Sequence, residues 1–168
     1  ADLSAARDPE IFSRIWLGLQ SRIVGAGVVR GVVVMGAPDS GPFAPLAVWP
    51  EGGLGSPWLV AGIESAITRR ETVVEAGKRS PTDDNPKRKL DVISHPLIVD
   101  EQICGAVSIE IEHLEAEQLA VVSDQIKWGS AWFEVLVRRS KFTSADRLST
   151  QIKWGSAWFE VLVRRSKF

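Results

Sequence analysis

Cys104 and His95 are the side chains whose types could do chemistry together. A thiolate is a nucleophile, and a neighbouring imidazole can serve as its base. Both stand in apolar runs, residues 90–99 and 102–111, separated by Asp100-Glu101. Two such runs around a two-residue turn predict a β-hairpin. Pairing across that turn sets Leu97 opposite Cys104, His95 opposite Ala106 and Ile93 opposite Ser108. Period-two alternation then gathers Ile93, His95, Leu97, Cys104, Ala106 and Ser108 on one face. That face mixes apolar, small and weakly polar groups and is a candidate ligand pocket. The other face, with Pro96, Ile98, Ile103, Gly105, Val107 and Ile109, is almost wholly apolar and belongs under helices. Gly105 would let a helix approach closely, and Pro96 points to a bulge. A small buried cysteine is the plainer account of Cys104. It is the single cysteine of the chain, so no resolving thiol exists for redox catalysis.

A second cluster, Glu110, Glu112, His113 and Glu115, contains metal-ligating types. It has no His-Glu-x-x-His spacing, and glutamates at the start of a helix follow from the helix dipole alone. No catalytic residue and no metal ligand is assigned, and no cofactor is named.

A hairpin is not stable alone in water, so other elements must cover it. Asp8-Pro9 predicts a helix start, with Asp8 as N-cap and Pro9 at N1. Ile11, Ile15, Leu19 and Ile23 repeat at four-residue spacing, widened by Phe12 and Trp16, and Gly25-Ala26-Gly27 ends the helix. Val28 to Met35 reads as a central strand. Phe43 to Trp49 reads as an edge or bulged strand because of Pro45, and forms a hairpin with the first. Ser56-Pro57 opens a second helix running to about Arg70. Thr72 to Glu75 reads as a short strand. Residues 76–89 have no anchoring apolar side chain after Ala76 and are expected to form a surface loop, whose Lys78, Arg79, Lys87, Arg88 and Lys89 stay solvated. The terminal helix is expected from about Leu114 to Arg139. Ile126, Gly129, Phe133 and Leu136 stand on one stripe of it, Trp128, Trp132 and Val135 on a neighbouring one. With Ile15 and Leu19, the first stripe forms a candidate helix-packing or dimer seam.

The chain of 168 residues, with a net charge of -1 and 24% charged residues, suits one well-buried globular core. The near-neutral balance, with basic residues in a loop and at a terminus, argues against nucleic-acid binding. No apolar run approaches the ~20 residues that span a bilayer, so direct membrane insertion is not expected. The first residues lack a signal-peptide core, and a lone cysteine fits a reducing compartment, so a cytoplasmic location is expected.

Residues 125–142, QIKWGSAWFEVLVRRSKF, recur unchanged as residues 151–168, 26 positions later. Structural repeats ordinarily keep a pattern while surface positions drift. The duplicate is therefore a recent tandem duplication, a scar or an assembly artefact, and one copy is taken as the natural terminal helix. The expected organisation is a flexible tail over residues 1–8, a domain over 9–142, and a linker plus duplicate over 143–168.

The element order is helix, two strands, helix, short strand, loop, two strands, long helix. With the segments PLAVWP (45–50), HPLIV (95–99) and ICGAVSIE (103–110), it resembles a GAF domain. The resemblance implies an α+β fold, a central antiparallel sheet of five or six strands with the N- and C-terminal helices packed on one face. It implies a non-catalytic sensory or regulatory module that binds a small molecule and signals through its terminal helices. The alternatives are a ligand-free structural and dimerisation module, and, less favoured, a thiol-dependent small-molecule enzyme. Residues 125–132 also resemble GAF segments attached to bacterial secretion or efflux adaptor proteins. That likeness implies an output or membrane-linked domain as neighbour, beside a homodimer partner bound through the terminal helices. The Asn-Lys, Phe and Asp-Glu signature of cyclic-nucleotide members is missing, and Cys104 does not match the bilin-attachment position.

Overall fold

The structure, a computed structural model, describes residues 9–24, 27–50, 56–79 and 87–140. The expected cap Asp8, the tail 1–8, Gly25-Ala26 and the linker and duplicate 143–168 lie outside the described residues. The order is α1 (Pro9–Val24), β1 (Val28–Met35), β2 (Ala44–Trp49), α2 (Pro57–Arg69), β3 (Val73–Arg79), β4 (Lys89–Val99), β5 (Gln102–Glu112) and α3 (Ala116–Ser140). The five strands form one antiparallel sheet in the order β2-β1-β5-β4-β3. The fold class expected from the sequence is the one observed, with five strands.

β5 is the middle strand, and its side chains from Ile103 to Ile111 are all buried. A strand covered on both faces is apolar nearly throughout, Ser108 and Glu110 excepted here, and the run Val28–Met35 approaches the same pattern. One face of the sheet packs against α1 and α3 around Trp16, Leu17, Ile93, Leu97, Val107, Ile126 and Phe133. The other packs against α2 around Val34, Leu59, Val60, Ile63, Ile103 and Ala106. Ser56 caps α2, its Oγ accepting from Trp58 N at 3.2 Å, with Pro57 in the first turn. Arg70 closes that helix in the left-handed conformation, φ 56°.

Three expectations need correction. The stretch 76–89 is not all loop: β3 runs on to Arg79, and β4 starts at Lys89. A bulge between Glu75 and Lys78 lets Gly77 adopt φ 68°, and its N–H is taken by the Asp91 carboxylate at 2.8 Å. Its basic residues also have partners, with Lys78 2.9 Å from Glu75 and over the Trp58 ring, and Arg88 Nε donating to Glu112 at 3.0 Å. The core face of α1 is rotated from the four-residue stripe. Phe12, Ser13, Trp16, Leu17, Gln20 and Ser21 are buried, while Ile11 is 47% exposed and Ile15 and Leu19 are half-buried. Strict four-residue spacing drifts about 40° per step around a 3.6-residue helix. The polar residues at buried positions hid the true stripe.

The third correction is register. Val99 pairs with Gln102, as the turn requires, and Ile98 with Ile103. Asp100 and Glu101 both hold positive φ, 51° and 66°, as a two-residue hairpin turn demands. A bulge between Leu97 and Ile98 then shifts the pairing by one residue. Leu97 lies opposite Gly105, Pro96 opposite Ala106, His95 opposite Val107, Ser94 opposite Ser108 and Ile93 opposite Ile109. Gly105 serves a strand contact and not a helix: a Cβ there would collide with the backbone carbonyl of Val34.

Candidate functional site

A one-residue slip exchanges the faces of everything beyond it. The six residues expected to line one pocket are therefore not brought together. Ile93, Leu97 and Cys104 are buried in the cluster under α1 and α3. Ala106 is buried in the cluster under α2, and Ser108 meets Ser94 Oγ at 2.8 Å beneath Gly62 of that helix. His95 alone reaches an open cleft. The thiol and the imidazole thus do not form a couple: Cys104 Sγ packs near Gln102 O at 3.8 Å, and His95 Nδ1 lies 2.8 Å from Thr72 Oγ1.

The cleft has a volume of about 600 Å³. It opens where β4 runs past the start of β3, and is bounded by Arg70, Thr72 and His95 on one side and Lys127, Ala131 and Glu134 of α3 on the other. β3 pairs with β4 only as far as Val73 opposite Ser94, so the β4 edge at Ile98 has no strand beside it. Glu134 Oε1 accepts from the Ile98 N–H at 3.0 Å. Burial pushes the Glu134 carboxyl up, against the pull of that bond and of Arg138. Burial, with the nearby Lys127 cation, pulls His95 down to about 4, so at neutral pH it is an uncharged ring. Lys127 is 3.8 Å from Asp124, and Arg70 donates to Glu101 O at 2.5 Å.

Two buried carboxylates hold the fold together, Asp91, which the sequence reading passed over, and Glu110, which it weighed only as part of a metal cluster. Asp91 is fully buried in β4. Its Oδ1 accepts from Gly77 N at 2.8 Å and from His113 Nδ1 at 2.7 Å, and its Oδ2 from Leu114 N at 2.8 Å. One side chain thus ties the β3 bulge to the turn that launches α3. Glu110 is equally buried, on the α2 face. It accepts from Ser56 Oγ and faces Arg30 Nε at 3.1 Å. Burial raises its carboxyl, opposed by Ser56 and then by Arg30 and Arg88. An acid set between apolar neighbours in a strand, Leu90-Asp91-Val92 and Ile109-Glu110-Ile111, was the available signal for both. Glu110, Glu112 and His113 go to three separate partners, Ser56, Arg88 and Asp91.

The proposed helix-packing residues divide likewise. Ile126, Gly129 and Phe133 are buried inside the protomer against α1 and the sheet. Phe133 stands between Phe12 and Trp16, ring centroids 5.1 and 5.3 Å away. Trp16 Nε1 donates to Gly129 O at 2.8 Å, and the missing Gly129 side chain leaves room for the end of Gln20. The side chain of Leu136 lies outside the described residues. The opposite side of α3 carries Val121, Trp128, Trp132 and Val135, exposed at 69, 72, 62 and 39%. With Gln125 between them, these residues follow 4-3-4-3 spacing, the period of a helix-pairing seam.

No family model matches the chain, and no curated relative does. Solved structures do match. The GAF domain of A. aeolicus nlh2, in an inactive state, superposes with a TM-score of 0.60 at 12% identity, over 81% of this chain and 88% of that one. The bacteriophytochrome RpBphP3 from R. palustris gives 0.50 at 16% identity, over 82% of this chain and 35% of that one. At such identity the likeness is one of fold. The class it defines is GAF-like: a five-stranded antiparallel sheet flanked by helices.

Proposed function

We propose that the domain is a non-catalytic regulatory module that pairs with a second copy and passes signals through its terminal helices. The observation that carries this reading is the outward seam of α3, with its two exposed tryptophans. Large apolar side chains in a contiguous exposed stripe mark an interaction surface. The interior supports the same conclusion, because both sheet faces are filled by side chains from α1, α3 and α2. In this reading the domain is cytoplasmic and joined through its helices to an output or membrane-linked domain, such as a bacterial secretion or efflux adaptor. No helix among the described residues is long and apolar enough to cross a membrane. The test is sedimentation equilibrium of the chain beside its Trp128→Glu, Trp132→Glu variant. Burying each large aromatic contributes roughly 1.5–3 kcal/mol, so association weakens by at least about a hundredfold while the circular dichroism stays unchanged. A monomeric parent, or a variant dimerising equally well, overturns the proposal.

One observation favours sensing as a second reading. The cleft beside His95 shares a wall with α3, so a small molecule bound there would touch the signalling helix directly. Its neutral imidazole, hydroxyl, ammonium and carboxylate suit a small polar or zwitterionic metabolite. Native mass spectrometry of the chain purified from cells tests it. A retained small molecule lost on Lys127→Ala supports sensing at this cleft, and retention unaffected by that change removes the cleft as its site.

A further inference from the structure

The repeat has a consequence that the fold makes specific. Residues of α3 that face α1 and the sheet include Val122, Ser123, Ile126, Gly129, Ser130 and Phe133, all buried. At the same offset of 26 positions stand Leu148, Ser149, Ile152, Gly155, Ser156 and Phe159. The match therefore runs upstream of the identical stretch on the inward positions, Leu for Val and Ser for Ser. Outward positions just upstream do not match, Arg147 standing for Val121 and Thr150 for Asp124. Glu160 likewise reproduces Glu134, whose carboxylate holds the Ile98 N–H. Ala145 is the weaker substitute for Leu119, which is buried at the far end of the groove.

We propose that residues 143–168 are a second ligand for the groove between α1 and the sheet, able to occupy it in place of residues 117–142 of the same chain. The groove recognises a phenylalanine between two aromatic rings, a glycine beneath Gln20 and a small hydroxyl residue after it. The second segment carries each of these at the same spacing. α3 follows β5 after the short stretch His113–Glu115, whereas the copy would dock with 26 further residues looped out. Loop closure weakens as about the three-halves power of length, which by itself makes the copy the minor occupant by roughly thirtyfold, and Ala145 in place of Leu119 lowers its share further. Exchange would release the Trp128-Trp132 face from the position it holds on the docked helix and substitute that of Trp154 and Trp158. The two occupants differ at residues 121 and 147, so they present different outward seams.

The experiment compares the full chain with its Phe133→Asp, Phe159→Asp and doubly substituted forms by urea unfolding and by hydrogen exchange read on peptic fragments. The substitution changes the mass of one copy, so the otherwise identical peptides are resolved. Phe133→Asp is expected to keep a cooperative transition, weakened by at least about thirtyfold in its folding equilibrium, with protection moved onto the 151–168 peptide. Phe159→Asp should behave as the parent. The double variant should lose the transition, because a buried charge then faces the groove from either copy. A Phe133→Asp chain as damaged as the double variant, or protection that stays off residues 151–168, overturns the proposal. Rescue that coincides with a new dimer in sedimentation overturns its intramolecular form.

Discussion

Replacing Asp91 with asparagine isolates one buried carboxylate that joins three parts of the chain. Three N–H donors reach it, from Gly77, His113 and Leu114, at 2.7–2.8 Å. A carboxylate, which only accepts, satisfies all three. Asparagine offers one oxygen. If it keeps the pair at Oδ1, its NH2 group meets the Leu114 N–H donor to donor. One hydrogen bond to a charged group is lost, about 1.5–3 kcal/mol, and two others become neutral bonds at about 1 kcal/mol each. Leu114 is half-buried and can turn toward water, so the net loss is placed at the low end, about 3 kcal/mol. That is a large share of the roughly 5–15 kcal/mol that holds a single domain together. Urea unfolding at pH 7 measures the loss, with the exposed Asp124→Asn as a control expected within about 0.5 kcal/mol. Hydrogen exchange should show the Gly77 and Leu114 amides opening first. A loss under about 1 kcal/mol with both amides still protected would refute the account of Asp91 as the tie between β3 and the start of α3.

Further outcomes follow from the same geometry. Gly105→Ala should destabilise the fold by about 2–4 kcal/mol, since strand backbone must move away from the new Cβ, whereas Gly129→Ala meets only the movable end of Gln20 and should stay within about 1 kcal/mol; thermal melts of the two variants decide it. His95 is depressed to about 4 from 6.5, so the unfolded chain binds its proton first and stability is lost as pH falls through that range. Glu110 and Glu134 are raised above 4.5, so each opposes this, adding stability as pH falls toward 4.5. His95→Gln should therefore reverse or flatten the acid limb, and Glu110→Gln should steepen it, in unfolding free energies measured from pH 4 to 7.

The elements were legible in the sequence because each is specified by its neighbours. Ser56-Pro57 opens a helix wherever it packs, and the run Val28–Met35 is too β-branched and apolar for anything but a buried strand. The turn at Asp100-Glu101 and the order of elements then left a GAF-like sheet as the consistent answer. Faces were a different matter. Which β5 residues share a face with His95 depends on whether the ladder slips once between Leu97 and Ile98, and Pro96 warned of a bulge without locating it. The core side of α1 was concealed by Ser13, Gln20 and Ser21, polar residues at buried positions, of which Ser21 bonds back to Leu17 O in its own helix and Gln20 finds room only beside Gly129 of α3. The roles of Asp91 and Glu110 became visible only once their donors, distant in the chain, were beside them. Local propensity is written residue by residue, so the sequence by itself determined the helices, strands and turns. Which side chains share a face is a property of register and packing between distant segments, and that only the tertiary structure decided.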